Sequence, residues 1–134
     1  MSDKKVFLDS NILVYLIDKD QVKKEKALAL VHASNLISTQ VVAENINAGI
    51  KKLKMTKEET FVHARGLLNN FNLVLLQPST FELAMMISIK YQLRYYDCLI
   101  VASALENDCQ ILYSEDMQNG LLIENTLTIV NPFL

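Results

Sequence analysis

Short, continuous apolar runs alternate along this chain with longer stretches in which apolar residues recur every three to four positions. The runs Lys5–Leu8, Asn35–Ser38, Asn72–Leu76, Gln110–Tyr113 and Thr126–Val130 predict strands, and NLVLL and LTIV are continuously apolar, as buried parallel strands are. Helices are predicted over Asn11–Ile17, Val22–Ala33, Thr39–Ala48, Lys57–Asn70, Ser79–Tyr91 and Cys98–Glu106. The second of these sets Val22, Ala27, Leu30 and Val31 against Lys23, Lys24 and Lys26, an amphipathic pattern with a basic outer face. Thr56 with Glu59, and Ser79 with Glu82, read as capping boxes, and Pro78 reads as the stop of the strand before it. Strands separated by helices need crossover connections. The expectation is therefore an α/β fold of three layers, α/β/α, with a mainly parallel central sheet. In such sheets ligands bind beyond the carboxyl ends of the strands.

At 134 residues and 51% apolar, the chain has the material for a single domain over residues 1–134 that folds without disulfides or a structural metal. The apolar run CLIVASAL is too short to span a bilayer, and MSDKK has no apolar stretch behind it, so a soluble cytoplasmic protein is expected, with no membrane partner. Net charge is −2, divided unevenly: residues 1–67 carry eleven basic and eight acidic residues, residues 68–134 two and seven. That balance excludes blanket neutralisation of duplex DNA but leaves room for a nucleic-acid enzyme whose acids are committed to metal. Cys98 and Cys109 form no CxxC pair and read as buried thiols. His32 and His63 lie away from every acidic motif and read as helix-surface residues.

Three aspartates fall where the topology puts ligands. Asp9 ends the first strand, Asp97 precedes the apolar helix, and Asp116 follows the fourth strand. Each also suits a helix N-cap or a loop, and capping alone explains any one of them. Glu44 lies inside the helical stretch VVAENINA, where capping cannot explain it; it either faces water or joins the aspartates. Carboxylates gathered within a few ångströms raise one another's pKa unless a cation sits among them. An all-oxygen set favours Mg²⁺ or Mn²⁺ over Zn²⁺.

FLDSNILVY, the mid-helix Glu44, YYDCLIVASALENDCQIL, SEDMQNG and the terminal IVNPF together resemble the PIN-domain ribonucleases, specifically VapC-like toxins of bacterial toxin–antitoxin pairs. The resemblance covers essentially the whole chain. It implies metal-dependent hydrolysis of RNA phosphodiester bonds, with Asp9, Glu44, Asp97 and Asp116 at the acidic, metal-binding and catalytic positions. It further implies that Asn11 and Ser114 support the first and last aspartates. Where many relatives carry a basic residue, this chain has Glu115, which either disfavours phosphate at the rim or serves as an auxiliary ligand. Arg94 and Tyr95, just before Asp97, are the expected substrate contacts. The expected partners are RNA, a cognate antitoxin and a second copy of the chain.

The competing class is a catalytically inactive PIN-like binding or regulatory module, which would be expected to have lost one of the four acids. A phospho-acceptor receiver fails because Asp9 has no acidic neighbour, Leu76 is followed by Gln77-Pro78, and no Lys follows Lys90. Gly49, Gly66 and Gly120 form no phosphate-cradling loop.

Overall fold

Phe7 and Leu8, both fully buried, lie on the strand at the centre of a six-stranded sheet. The structure is a computed structural model describing residues 4–134; Met1 to Asp3 of the MSDKK segment lie outside the described residues. Its strands are β1 (Val6–Leu8), β2 (Leu36–Ser38), β3 (Asn72–Val74), β4 (Ile111–Tyr113), β5 (Leu122–Ile123) and β6 (Leu127–Val130), in the order β3-β2-β1-β4-β6-β5. All neighbours pair in parallel except β5 with β6. Six helices complete the three-layer α/β/α arrangement expected: α1 (Ser10–Val14), α2 (Gln21–Leu30), α3 (Thr39–Asn47), α4 (Lys57–Asn70), α5 (Pro78–Tyr91) and α6 (Tyr95–Glu106). From Cys98 to Ala104 every residue of α6 is buried. Among the described residues no helix is long and apolar enough to cross a membrane.

Register places the site. Phe7 pairs with Leu36 on one side and Leu112 on the other, so β1, β2 and β4 end at one level. Asp9, Ser38 and Ser114 therefore stand at the same sheet edge. Asp9 caps α1 by accepting the Ser10 N–H, and Ser38 caps α3, the helix that carries Glu44.

Several boundaries differ from expectation, each for a local reason. The Thr56–Glu59 capping box opens α4 as expected, but the Ser79–Glu82 box does not form. Gln77 caps α5 instead, its N–H donating to Thr80 Oγ1, and Pro78 occupies the first turn, where its missing N–H costs nothing. The last helix starts at Tyr95 rather than Cys98, which moves Asp97 from before the helix into its first turn. Past α3 the chain continues as a π turn over Ala48–Lys52, and past α1 as a 3₁₀ turn over Tyr15–Ile17. The hairpin β5–β6 has no Asn-Gly signal; Glu124 and Asn125 both take positive φ, and Thr126 N–H closes onto the Ile123 carbonyl at 3.1 Å.

Candidate functional site

A cleft of about 490 Å³ opens at the edge where β1 ends, and Asp9, Glu44, Asp97 and Asp116 all line it, with Ser10, Arg94 and Tyr96. Four separate segments deliver these acids. Asp9 arrives at the end of β1, Glu44 from the middle of α3, Asp97 in the first turn of α6, and Asp116 just past β4.

Asp9 is only 4% exposed, and its oxygens are tightly held. Oδ1 accepts the Ser10 N–H at 2.7 Å, and Oδ2 accepts the Ser114 hydroxyl at 2.7 Å. Burial pushes its carboxyl up to about 7; the Ser114 and Ser10 bonds oppose the shift, while the charges of Asp97 and Glu44 add to it. Burial also raises Asp97, against the pull of Arg94 and with reinforcement from Asp116 and Glu44. The acids thus feel one another's charge across the cleft.

Asn11 ties the set together. Its Nδ2 donates to Asp116 Oδ2 at 3.0 Å and reaches Asp9 Oδ2 at 3.4 Å, and its Oδ1 accepts the Glu115 N–H at 3.2 Å. Ser114 Oγ in turn accepts the Asp116 N–H at 3.2 Å. Glu44 takes the Ser10 hydroxyl on Oε1 and the Gln40 amide on Oε2 at 3.4 Å. Gln40 spans from there to the Tyr96 carbonyl at 3.0 Å, tying α3 to the start of α6.

Two expected residues turn elsewhere. The Glu115 carboxylate accepts from the Tyr15 hydroxyl and pairs with Lys23, which also lies 4.9 Å from the Tyr15 ring centroid and 5.6 Å from that of Phe133. Burial pushes Glu115 up, but the Lys23 and Tyr15 bonds outweigh it and leave the carboxyl below its ordinary value. It is thus a neutralised structural acid, not a free ligand. Tyr95 points to α5, its hydroxyl 3.4 Å from the Phe81 carbonyl, and the tyrosine that lines the cleft is Tyr96, 68% exposed. Arg94 does line the cleft. Its Nε stands 3.5 Å from Asp97 Oδ2, but with the side chain 81% exposed this pair is worth little and leaves the arginine free to move.

Neither histidine is a plain helix-surface residue. His32 follows the end of α2 and is exposed. His63 is half-buried on α4, and its Nε2 lies 2.9 Å from Asn45 Oδ1. Asn45 is fully buried, with Nδ2 donating to the Ser10 and Val41 carbonyls. The amide's orientation makes its oxygen the acceptor, so His63 Nε2 is the donor. Asn45 thereby fastens α3 and α4 to the residue next to Asp9. Its signal in the sequence was its place four residues after Val41, on the apolar stripe of α3. Both cysteines are buried and free, and burial pushes Cys109 up to about 11 and raises Cys98, as inert thiols require.

Among the described residues no three acidic, His or Cys side chains are gathered tightly enough to ligate one ion directly. An all-carboxylate set spread over an open cleft suits a hard cation that keeps water among its ligands and binds through one or two carboxylates plus substrate phosphate, the habit of Mg²⁺. On donor chemistry and mutual repulsion, the residues fit such an ion.

A family model described as PIN domain matches residues 6–118. In backbone the chain is similar to VapC20 of Mycobacterium tuberculosis, a sarcin–ricin loop cleaving toxin, with TM-score 0.70 and 14% identity over 84% of this chain and 90% of that one. It is similar to a chain of a toxin–antitoxin complex from Klebsiella pneumoniae, with TM-score 0.71 and 24% identity over 96% and 98% of the two chains. A third likeness is to VapBC2 from Rickettsia felis, solved bound to a DNA fragment from its promoter, with TM-score 0.69 and 22% identity over 92% and 96%. No curated protein matches the sequence.

Proposed function

The chain belongs to the PIN domain family, and from that membership we propose that it is a divalent-metal-dependent endoribonuclease that hydrolyses RNA phosphodiester bonds as the toxin of a toxin–antitoxin pair. What carries the reading is the convergence of Asp9, Glu44, Asp97 and Asp116 on one cleft. Asp9, Asp97 and Asp116 would hold Mg²⁺ or Mn²⁺, with Glu44 acting directly or through water. When bound, such an ion supplies charge stabilisation at the phosphate and lowers the pKa of water.

The chain's own groups orient and admit. Asn11 and Ser114 fix the Asp9 and Asp116 carboxylates relative to each other, while Gln40 and Ser10 fix Glu44. Arg94, swinging free of Asp97, meets an incoming phosphate. Tyr96 offers an exposed ring on which an unpaired base stacks. Among the described residues no histidine lines the cleft, so the proton lost by the attacking water passes to a carboxylate or to solvent. The partners that follow are single-stranded RNA, an antitoxin like those in the neighbouring complexes, and a second copy of the chain, all in the cytoplasm.

The test is cleavage of an end-labelled single-stranded RNA panel with Mg²⁺ or Mn²⁺ against EDTA. The wild-type protein is expected to cut only with metal, and Asp97→Asn to cut about 100-fold more slowly or worse, since the ion supplies several kcal/mol of charge stabilisation. A wild-type protein that neither cuts RNA nor gains melting temperature with metal rules out the nuclease and leaves the inactive binding module.

A further inference from the structure

The acidic cleft does not end at its carboxylates. Val14, Ala48 and Asp116 form a wall shared with a smaller cavity of about 130 Å³, which also takes in Lys52. Lys52 is shared in turn with a third cavity of about 360 Å³, where Lys19 and Lys54 stand with Ile17, Leu53 and Met55. Arg94, Asp97 and Asp116 also line a cavity of about 450 Å³ together with Gln92 and Gln118. Cavities that share lining residues thus lead from the acidic centre to one arginine and, by way of Lys52, to three lysines.

Local structure explains the basic arm. After α3 the π turn carries the chain to Lys52, the Leu53 N–H returns to the Ala48 carbonyl at 3.0 Å, and Lys54 takes a left-handed conformation with φ 57° before α4 begins. Lys19 follows the 3₁₀ turn after α1, its N–H donating to Asp18 Oδ1 at 2.6 Å. Among the described residues Asp18 is the one acid lining that cavity, and the same oxygen also faces the Asp20 N–H. Lys19, Lys52 and Lys54 are exposed, and among the described residues none of them pairs with a carboxylate, whereas Lys23, Lys90 and Arg94 do.

We propose that Lys52, Lys19 and Lys54 form a phosphate-binding track for the single-stranded RNA flanking the bond to be cut, an inference that rests on the nuclease reading of the acidic centre. A centre built of carboxylates repels a polyanion, so a strand seated there must be held by cations beside it. The shared linings favour RNA over an acidic protein segment: nucleotides flanking a bond that lies at Asp9 and Asp116 fall beside the cavities adjoining it. Among the described residues no aromatic side chain lines the lysine cavity, so binding there is through charge and tolerant of sequence, with base stacking left to Tyr96.

Fluorescence anisotropy of a labelled oligouridylate of about twelve nucleotides, a length within the site sizes of single-strand-binding grooves, tests this in EDTA over a salt series. Each of Lys19→Ala, Lys52→Ala and Lys54→Ala is expected to reduce the slope of log K against log salt by about 0.7, and the triple variant by about 2 with at least tenfold weaker binding at low salt. Lys26→Ala, on the exposed face of α2, is the control and leaves both unchanged. Thermal melting with Mg²⁺ should respond in the triple variant as in the wild type. If the wild type cuts RNA while the triple variant binds and cuts equally well, the track is wrong and the nuclease stands. Binding that depends on the three lysines without any cleavage overturns the nuclease and keeps the track. A wild type that ignores the oligonucleotide, or a triple variant that loses only a poly-glutamate peptide, overturns the track in favour of an acidic protein ligand.

Discussion

Replacing Asp9 by Asn isolates the electrostatic cost of the acidic cleft. In the folded chain the Asp9 carboxyl is pushed from 3.8 to about 7, chiefly by burial. The folded state therefore holds this proton more tightly than the unfolded chain does. Protonation favours folding, and its contribution is complete below about pH 3.8 and lost as the pH rises through about 7. A shift of about three pKa units at 1.36 kcal/mol each sets a ceiling of about 4 kcal/mol, fully expressed by about pH 8. Asn carries no charge and keeps the Ser10 N–H as a donor to Oδ1, but its Nδ2 replaces the oxygen that accepted the Ser114 hydroxyl at 2.7 Å and the Asn11 amide at 3.4 Å. Losing these two contacts costs about 2 kcal/mol. The expected net gain is about 2 kcal/mol at pH 8 without metal, roughly 7 °C in melting temperature for a chain of this size.

Melting curves of wild type and Asp9→Asn at pH 4, 6 and 8, with EDTA and then with Mg²⁺, read this directly. Without metal, the difference between the two proteins should widen in favour of Asn as the pH rises. With Mg²⁺ the wild type should recover stability, because an ion that binds only the folded state stabilises it, and the variant should not. The variant should also cut no RNA. A difference that stays constant from pH 4 to 8 would refute the reasoning, since it would mean that Asp9 is not held away from its ordinary ionisation by the fold.

Two further outcomes follow from packing around the same edge. A Cβ built on Gly49, inside the π turn, would stand 2.7 Å from Thr60 Cγ2 and 2.9 Å from its Oγ1, and Thr60 is fully buried with Oγ1 bonded to the Thr56 carbonyl at 2.8 Å. Gly49→Ala is expected to cost about 1–3 kcal/mol, and Thr60→Ala to relieve part of it, so denaturant melts of the two singles and the double should not add; additivity within about 0.5 kcal/mol would remove the clash. Burial lowers the pKa of His63, so the fold favours its neutral form: its contribution is present above about pH 6.5 and lost as the pH falls toward the folded value. His63→Gln, which keeps a donor for Asn45, should flatten the acid side of the stability profile below about pH 6.5, and an unchanged acid limb in urea melts would show that His63 ionises freely.

That Asp9, Glu44, Asp97 and Asp116 would face one edge was legible in the sequence because topology, not side-chain detail, puts them on the lining of one cleft. Once strands and helices alternate, the strands run parallel and their carboxyl ends share one edge, so an acid just past β1 and another just past β4 have to be neighbours although 107 positions apart. Direction within that edge was not legible. Neighbouring helical residues point about 100° apart, so starting α6 three residues earlier than the apolar pattern implied exchanged Tyr95 for Tyr96 at the cleft. Glu115 and Asp116 are adjacent in sequence, yet the first is drawn out of the site by Lys23 and Tyr15, partners 92 and 100 positions away, while Asn11 holds the second in it. Asn45 and His63 were hidden for the opposite reason: each looks like an ordinary polar residue on an amphipathic helix until α3 and α4 pack and one becomes the other's partner. The π turn had no signature at all, and it is the feature that brings Lys52 to the wall shared with Asp116. A fold of this kind therefore announces in its sequence where chemistry occurs, whereas what the site grips is decided by turns and cross-chain pairs that only the assembled structure reveals.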